Sequence, residues 1–342
     1  MNWKKLLKTA YPAAIVVAIY LLTMLLLKGG LINKYYIQVM MFAGINIIMT
    51  ASLNLVNGFT GQFCIGHAGF MSLGAYGAAI ITTMVFDGKN IPALAQTPVF
   101  LLGLLVGGCI AAFVGALIGL PSLKLKGDYL AIVTLAFGEI VRAILRLIKP
   151  IGAARGMIGI PNYSTLAWIL LFMTLTLYLL KNLIYSPYGR AFIAIRDNEI
   201  AADVMGIDTT KYKITAFCIA AFIAGVAGGL YAHLLAFIQP DSFSFVKSSD
   251  FLIFMYAGGS GSLTGSIVGA ALLTVLPEVL RFLSEWRIAV YAAVLVVVML
   301  YRSDGLVGGK ELPFMRIRRC ELYEQPLFAR KSEKKRPSAQ DR

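Results

Sequence analysis

Residues 98–120 read PVFLLGLLVGGCIAAFVGALIGL and contain no charged side chain. A helix needs about 20 apolar residues to cross the hydrocarbon core of a bilayer, so this stretch is long enough to span it. On both sides of it, further apolar runs are separated by charged residues, glycines or prolines, and most of them have spanning length. The sequence therefore predicts an all-α polytopic membrane protein with about ten transmembrane helices, some of them short or broken. The predicted spans lie near 11–27, 35–56, 65–86, 98–120, 129–148, 164–184, 213–238, 250–260, 264–281 and 287–301.

The composition of the whole chain agrees with a lipid environment. Of its 342 residues, 58% are hydrophobic and 14% are charged, whereas soluble domains carry about 25% charged residues. A water-soluble globule this apolar would expose large apolar patches, which excludes a soluble enzyme and an intrinsically disordered chain. The net charge of +14 does not indicate a nucleic-acid partner, because many basic residues flank apolar runs or lie in the C-terminal tail.

The distribution of lysine and arginine sets the predicted topology. If the N-terminus is cytoplasmic and all ten segments cross, 21 of the 31 basic residues lie on the cytoplasmic side, as the positive-inside rule requires. The short run 250–260 then counts as a thin or broken crossing, because otherwise the basic tail would lie outside. Residues 11–27 are expected to be an uncleaved first span. The predicted organisation is a transmembrane domain over 1–302 and a basic cytoplasmic tail over 303–342.

Glycine-rich segments interrupt two of the predicted spans, at 57–69 and 258–269. Ten spans divide into two inverted five-helix halves, and the breaks then fall at the third and eighth spans. Paired glycine-interrupted segments in inverted halves point to the substrate path of a transporter. The alternative is close helix packing and interhelical hydrogen bonding. Hydrogen bonding is the favoured interpretation of Asn54, and for Gln62 and His67 neither interpretation is favoured over the other. The candidate path residues are Asn54, Asn57, Gly61, Gln62, Gly66, His67, Gly258, Gly259 and Gly261.

Motifs for ATP binding and for hydrolytic chemistry are absent from the sequence. It contains no GxxxxGK[ST] phosphate loop, no HExxH and no GxSxG, and its two histidines lie far apart. A metal site is therefore not expected. Glu139 is a lone acid inside a predicted span, and Arg142 lies one helical turn later, where the two side chains can pair. We interpret them as a structural ion pair; the alternative is that Glu139 carries protons.

The longest internal cytoplasmic loop, residues 185–212, carries the pattern of a short capped helix. Asp197 or Asn198 suits the N-cap, and Glu199 lies in the first turn, where its charge favours the helix dipole. Gly206 suits the position that follows the C-cap. About two turns of helix are expected between these signals.

The apolar face of this short helix has no obvious burial within the loop. Ile200 and Val204 are four residues apart and therefore share a face. A groove on another protein would bury that face; the alternative is a linker that rests on the membrane surface. The residues assigned to this interaction are Gly189, Arg190, Arg196, Asp197, Asn198, Glu199, Ile200, Ala201, Val204 and Gly206.

Several motifs, in the order in which they follow one another along the chain, resemble those of one transporter family, the branched-chain amino acid ABC transporter permeases of the LivM type. The resemblance covers about residues 35–310, and it departs from the family pattern at residues 152–160, GAARGMIGI, where the family usually has a Gly-Gly-x-x-Gly-Ile type stretch. If that loop faces the binding protein or the substrate, specificity differs there. The motifs lie within 61–76, 125–140, 189–207, 258–265 and 302–306.

The resemblance implies a permease subunit, not an enzyme, in an ATP-driven importer of branched-chain or related hydrophobic amino acids. It implies a second homologous permease subunit, an extracytoplasmic substrate-binding protein, and two ATPase subunits that dock on the coupling loop 185–212. ATP and Mg²⁺ would be held by those ATPase subunits, and this chain would carry no cofactor. The expected location is the bacterial inner membrane, with both termini cytoplasmic. Two alternatives stay open: a permease of the same family for urea or short amides, and a proton-coupled secondary transporter.

Overall fold

A computed structural model describes residues 33–86, 93–122, 128–302, 305–307 and 311. The predicted first span at 11–27 lies outside the described residues, and so does most of the predicted tail. The part of the chain that the structure describes folds into eleven α-helices and one short β-ladder. The helices are α1 (Lys34–Asn54), α2 (His67–Ile80), α3 (Ala93–Ser122), α4 (Asp128–Leu147), α5 (Leu166–Ile184), α6 (Pro187–Asp197), α7 (Glu199–Val204), α8 (Thr209–Leu235), α9 (Phe245–Gly258), α10 (Leu263–Val279) and α11 (Arg287–Tyr301).

Six helical segments in the described chain are long and apolar enough to cross a membrane. The prediction of an α-helical membrane protein is therefore confirmed. Two of the spans end in a π-helical turn: α1 continues through Leu55–Phe59 and α2 through Ile81–Val85. These turns extend both helices towards the lengths that the apolar runs predicted.

The short apolar run at 250–260 belongs to α9, which begins five residues earlier than that run. Its 14 residues extend about 21 Å at 1.5 Å per residue, less than the hydrocarbon thickness of about 30 Å. α9 is therefore shorter than a full crossing of the hydrocarbon core requires. One turn into α9, the buried Ser248 Oγ accepts a hydrogen bond of 2.9 Å from the amide of Ala68.

α2, α3 and α8 form the centre of the bundle, and small residues let their backbones approach closely. A Cβ atom at Gly74 would overlap the backbone of Gly225. A Cβ atom at Gly107 would lie 2.5 Å from the carbonyl oxygen of Gly74. Phe70 fills the space beside these contacts, and its ring centroid lies 5.3 Å from that of Phe217. Such small-residue contacts are typical of helix packing in membranes, where apolar burial alone does not drive association.

The β-ladder lies at the end of the bundle opposite the coupling loop. β1 (Met157–Ile158) pairs antiparallel with β2 (Phe237–Ile238). β1 lies within residues 152–160, the stretch that departs from the family pattern. Gly152 and Gly156 have φ values of +90° and +84°, a region that glycine adopts without steric strain.

Candidate functional site

The coupling loop contains two helices, not the single one that the sequence predicted. Pro187 occupies the first turn of α6, and Ser186 caps that helix by accepting a hydrogen bond of 3.2 Å from the amide of Tyr188. Asn198 caps α7 by accepting a hydrogen bond of 3.0 Å from the amide of Ala201. Asn198, one of the two residues predicted for this role, is thus the N-cap. The missed helix α6 has its own signal, a serine followed by proline, which is typical of a helix start.

The two loop helices differ in how they are buried. α6 packs into the bundle through Phe192 and Ile195, which are buried, and the ring of Phe192 lies 6.2 Å from that of Tyr212 in α8. On α7, in contrast, Ile200 is 69% exposed and Val204 is 82% exposed. α6 is therefore anchored to the membrane domain, while α7 presents an apolar face at the surface.

An ion pair between a buried lysine and a half-buried glutamate holds α7 against the start of α8. Lys213 Nζ lies 2.7 Å from Glu199 Oε2, and Lys213 is only 6% exposed. Burying a charge is costly unless it is paired, so this contact restricts where α7 can lie. Asp208 caps α8 by accepting from the amide of Lys211 at 3.1 Å. A hydrogen bond from the Lys211 side chain lowers the pKa of the Asp208 carboxyl below its ordinary value.

The first glycine break is an irregular segment that joins α1 to α2. Asn57 holds it together: its Oδ1 accepts from the amide of Cys64 at 3.2 Å and its Nδ2 donates to the Cys64 carbonyl at 3.3 Å. Gly61 has a φ of +69°, a left-handed conformation that favours glycine. At the far end, a Cβ atom at Gly66 would overlap the carbonyl oxygen of Thr134 in α4. Gly66 therefore serves close helix packing in this conformation.

The second glycine break is the tight connection between α9 and α10. Gly259 and Gly261 have φ values of +123° and +75°. Asn54 in α1 fixes this connection with three hydrogen bonds: Oδ1 accepts from Gly261 N at 2.9 Å, and Nδ2 donates to Ser262 O and Ser266 Oγ, both at 2.8 Å. The side chain of the predicted path residue Asn54 thus links the end of α1 to the second break.

Residues beyond α11 also contact the second break. The amide of Leu306 donates to the carbonyl of Ala257 at 2.8 Å. The Glu311 carboxylate accepts from Leu263 N at 2.8 Å and from Thr264 Oγ1 at 2.7 Å. A negative charge at the start of a helix is favourable, so Glu311 caps α10. The described residues after the predicted domain boundary at 302/303 therefore still pack on the membrane domain.

Arg196 brings the coupling loop and both breaks together. From the last turn of α6, its Nη1 donates to the carbonyl of Gly58 at 3.2 Å. A Cβ atom at Gly61 would lie 2.9 Å from Arg196 Cγ, and one at Gly261 would lie 3.2 Å from Arg196 Nη1. Side chains larger than glycine would crowd the arginine at these two positions. Among the predicted residues, Asn54, Gly61, Gly258, Gly259 and Gly261 thus gather at the coupling-loop end of the bundle.

His67 and Gln62 lie in the same break and are both buried. His67 Nε2 lies 2.7 Å from Ser52 Oγ, which itself donates to the Met49 carbonyl at 2.8 Å. That hydrogen bond is satisfied within the protein, which favours a structural role for His67. Gln62 is 4% exposed, and neither its Nε2 nor its Oε1 has a hydrogen-bond partner. Buried polar atoms usually have partners, so Gln62 is the predicted path residue with capacity left to bind.

The two residues predicted as an ion pair lie in the middle of α4. Arg142 Nη2 is 2.6 Å from Glu139 Oε2. The other oxygen of Glu139 accepts from the amide of Phe245 at 3.1 Å, at the start of α9. Beside it lies a cavity of about 10 Å³ lined by Gly138 and Ser248, about the size of one water. Glu139 therefore has defined partners on both oxygens.

The arrangement leaves an apolar surface on α7 and one buried side chain, Gln62, whose amide atoms have no hydrogen-bond partner. In the described part of the chain, three or more histidine, cysteine, aspartate or glutamate side chains do not come together as a metal site. Residues 35–301 match the family model described as branched-chain amino acid transport system / permease component. The chain belongs to this family. The family's members are permease subunits and not enzymes.

Individual relatives agree with this family membership. LivM of Salmonella typhimurium, a high-affinity branched-chain amino acid transport system permease protein, is 32% identical over 81% of this chain and 71% of its own length. A probable LivM of Methanocaldococcus jannaschii is 26% identical over 80% of this chain and 94% of its own length. LivH of Salmonella typhimurium is 30% identical over 45% of this chain and 50% of its own length. No solved structure matches this permease.

Proposed function

We propose that this permease subunit carries branched-chain amino acids through the bacterial inner membrane, driven by ATP that partner ATPase subunits hydrolyse. The observation that supports this most is the exposed apolar face of α7, formed by Ile200, Val204 and Met205. It lies on a helix that an ion pair holds in place, so it is presented in a fixed position. A groove on an ATPase subunit would bury this face. ATP and Mg²⁺ would be bound there, not on this chain.

We propose ten spans in two inverted halves: residues 11–27 as the first and α1, α2, α3, α4, α5, α8, α9, α10 and α11 as the rest. The helix contacts support this layout. When each span is replaced by its counterpart in the other half (one by six, two by seven, and so on), an observed contact becomes another observed contact. Spans two and nine (α1 and α10) pack together, and so do their counterparts, spans seven and four (α8 and α3). Spans three and seven (α2 and α8) pack together, as do eight and two (α9 and α1).

The contact between the two glycine breaks does not fit the expectation that they are equivalent segments of the two halves. Segments related by an axis in the membrane plane lie at opposite ends of a bundle unless they lie at its midplane. The two breaks touch at one end, so their contact does not support their being equivalent. The starts of α2 and α9 are better candidates, because they begin the third and eighth spans and meet through Ala68 and Ser248.

We infer the membrane orientation from these contacts together with the distribution of basic residues. The coupling loop, the turn between α9 and α10, and the described residues after α11 meet at one end of the bundle. We assign this end to the cytoplasm, because loops and tail on that side carry most of the basic residues. Both termini would then be cytoplasmic, with the β-ladder on the side where an extracytoplasmic binding protein delivers the substrate.

We assign the substrate path to the junction at which the two breaks meet, with Gln62 as the polar group that meets the substrate. A second, homologous permease subunit would complete the path, and a LivH-type protein is the expected class. Urea and short amides are the alternative cargo within this family. The contacts of Glu139 do not favour a proton-coupled mechanism, since both of its oxygens already have partners.

The docking of α7 can be tested by co-purification from native membranes. We expect the wild-type chain to retain an ATPase pair and a second multispanning subunit. Replacing both Ile200 and Val204 by aspartate should release the ATPase while the permease pair stays assembled, because the apolar face is lost. The matched control is Lys211→Ala, which changes an 83% exposed side chain in the same loop. Retention of the ATPase by the double variant would refute the assignment.

A further inference from the structure

Arg196 is the point at which the coupling loop contacts the membrane-embedded breaks. Its guanidinium makes contacts in two directions: Nη1 donates to Gly58 O at 3.2 Å, and Nε and Nη2 both donate to Asp197 Oδ1, at 3.1 and 3.0 Å. Asp197 therefore orients the guanidinium plane towards the end of α1. Only arginine among the basic side chains presents such a fixed fork of donors.

The glycines around Arg196 make this contact possible. Gly61 lies against the arginine stem, and Gly261 lies beside Nη1. One residue belongs to the first break and the other to the second, and both have positive φ values. The two breaks also touch each other, since a Cβ atom at Gly58 would lie only 2.5 Å from the backbone nitrogen of Gly261. A displacement of Arg196 therefore presses on both breaks together.

The helix that carries Arg196 can transmit such a displacement. α6 is anchored through the buried residues Phe192 and Ile195, so it moves as part of a packed unit with its neighbours. Packed helices shift by small sliding or rotation between discrete arrangements and do not bend freely. A movement imposed on α7 by a docked partner would thus reach Arg196 through α6.

We propose that Arg196 is a positioning residue that links the coupling helices to the cytoplasmic mouth of the path. It holds the Gly58–Gly61 segment and Gly261 in the closed arrangement and draws them with it when α6 moves. This role rests on the proposed function, because the driving movement comes from the ATPase. It assigns to Arg196 the coupling of hydrolysis to opening, and not the docking itself.

The first test compares transport and hydrolysis in the complete complex in proteoliposomes, with labelled leucine as the probe. Arg196→Ala should keep the ATPase bound and hydrolysing, while leucine transported per ATP falls about tenfold, a typical coupling between sites. Arg196→Lys should lie close to Arg196→Ala, because a lysine cannot bind both acceptors in the same fork geometry. The control is Leu179→Ala, which changes a 53% exposed side chain of α5 outside the coupling loop and should match the wild type.

The second test reports on the break itself. Cys64 is buried in the first break. After Cys109→Ala, Cys218→Ala and Cys320→Ala it is the only thiol of this chain, and its labelling is followed on this subunit. In inside-out vesicles containing the whole complex, a membrane-impermeant maleimide should label Cys64 faster during ATP turnover. With Arg196→Ala, the labelling rate should no longer depend on ATP.

The outcomes separate this proposal from the proposed function. An unchanged ratio of transport to hydrolysis in Arg196→Ala, or labelling that still follows ATP, would overturn the link. Loss of the ATPase from Arg196→Ala alone would also overturn it and place Arg196 in the docking surface. A wild-type chain that retains no ATPase would instead contradict the proposed function.

Discussion

Asn54 offers a quantitative test of how the two breaks are joined. It is fully buried and forms three hydrogen bonds, to Gly261, Ser262 and Ser266. Asn46 lies two turns earlier in α1, is 8% exposed, and donates one hydrogen bond of 2.9 Å to Thr274 Oγ1. The two residues therefore form a matched pair in which Asn→Ala removes the same atoms from one helix.

The expected losses of stability follow from the number of bonds. Interhelical hydrogen bonds in membranes average about 0.6 kcal/mol each, so three bonds give about 2 kcal/mol. Asn54→Ala also leaves the buried amide of Gly261 without its acceptor, which adds about 1 kcal/mol. We thus expect a loss of about 3 kcal/mol for Asn54→Ala and about 0.6 kcal/mol for Asn46→Ala.

The assay is equilibrium unfolding of the purified protein in mixed micelles of a mild detergent and SDS. The free energy of unfolding should fall several-fold more for Asn54→Ala than for Asn46→Ala. The difference between the two variants matters more than either absolute value, because the side-chain volume removed is equal. Equal losses, or a larger loss for Asn46→Ala, would refute the idea that Asn54 joins the breaks.

Three further predictions concern packing, the coupling loop and the tail. Gly66→Ala should prevent stable assembly, because its Cβ would overlap α4. Gly138→Ala should be tolerated, since its Cβ would meet no atom closer than 3.6 Å. The yield of monodisperse protein measures both effects. Lys213→Ala and Glu199→Ala should each weaken ATPase binding, and a double-mutant cycle should give a coupling of about 1–2 kcal/mol; a coupling near zero would contradict the ion pair. Glu311→Ala should destabilise the start of α10 by about 1 kcal/mol, as the loss of a helix cap does, and amide exchange there should become faster. Glu311→Gln keeps an acceptor and should recover part of the lost stability.

The sequence predicted the helices well, because apolar runs of spanning length leave few alternatives in lipid. The cap at Asn198 and the turn at Gly206, with a φ of +84°, were also predictable from local chemistry. Helix α6 was missed although Ser186 and Pro187 signal its start, because its apolar positions were read as loop. The length of α9 was underestimated, because the polar residues from Lys247 to Asp250 interrupt the apolar pattern in its first two turns.

The candidate site was less predictable, because it depends on contacts between distant segments. Asn54 was a candidate for the path because of its polarity, with interhelical hydrogen bonding as the favoured interpretation, and only the fold shows that its partners are Gly261, Ser262 and Ser266. The buried pairing of Lys213 with Glu199 joins two helices, and a count of basic residues does not reveal it. Glu311, which caps α10, lies beyond the boundary at 302/303 that the change in composition suggested between the membrane domain and the tail.

Energy coupling is the central claim, and uptake of labelled leucine into proteoliposomes tests it most directly. The vesicles should contain this permease, its second permease subunit, the ATPase pair and the binding protein, with a protonophore present. The account predicts that uptake requires ATP, continues at full rate with the protonophore, and is not inhibited by excess urea. Uptake that persists without ATP and collapses with the proton gradient would contradict it.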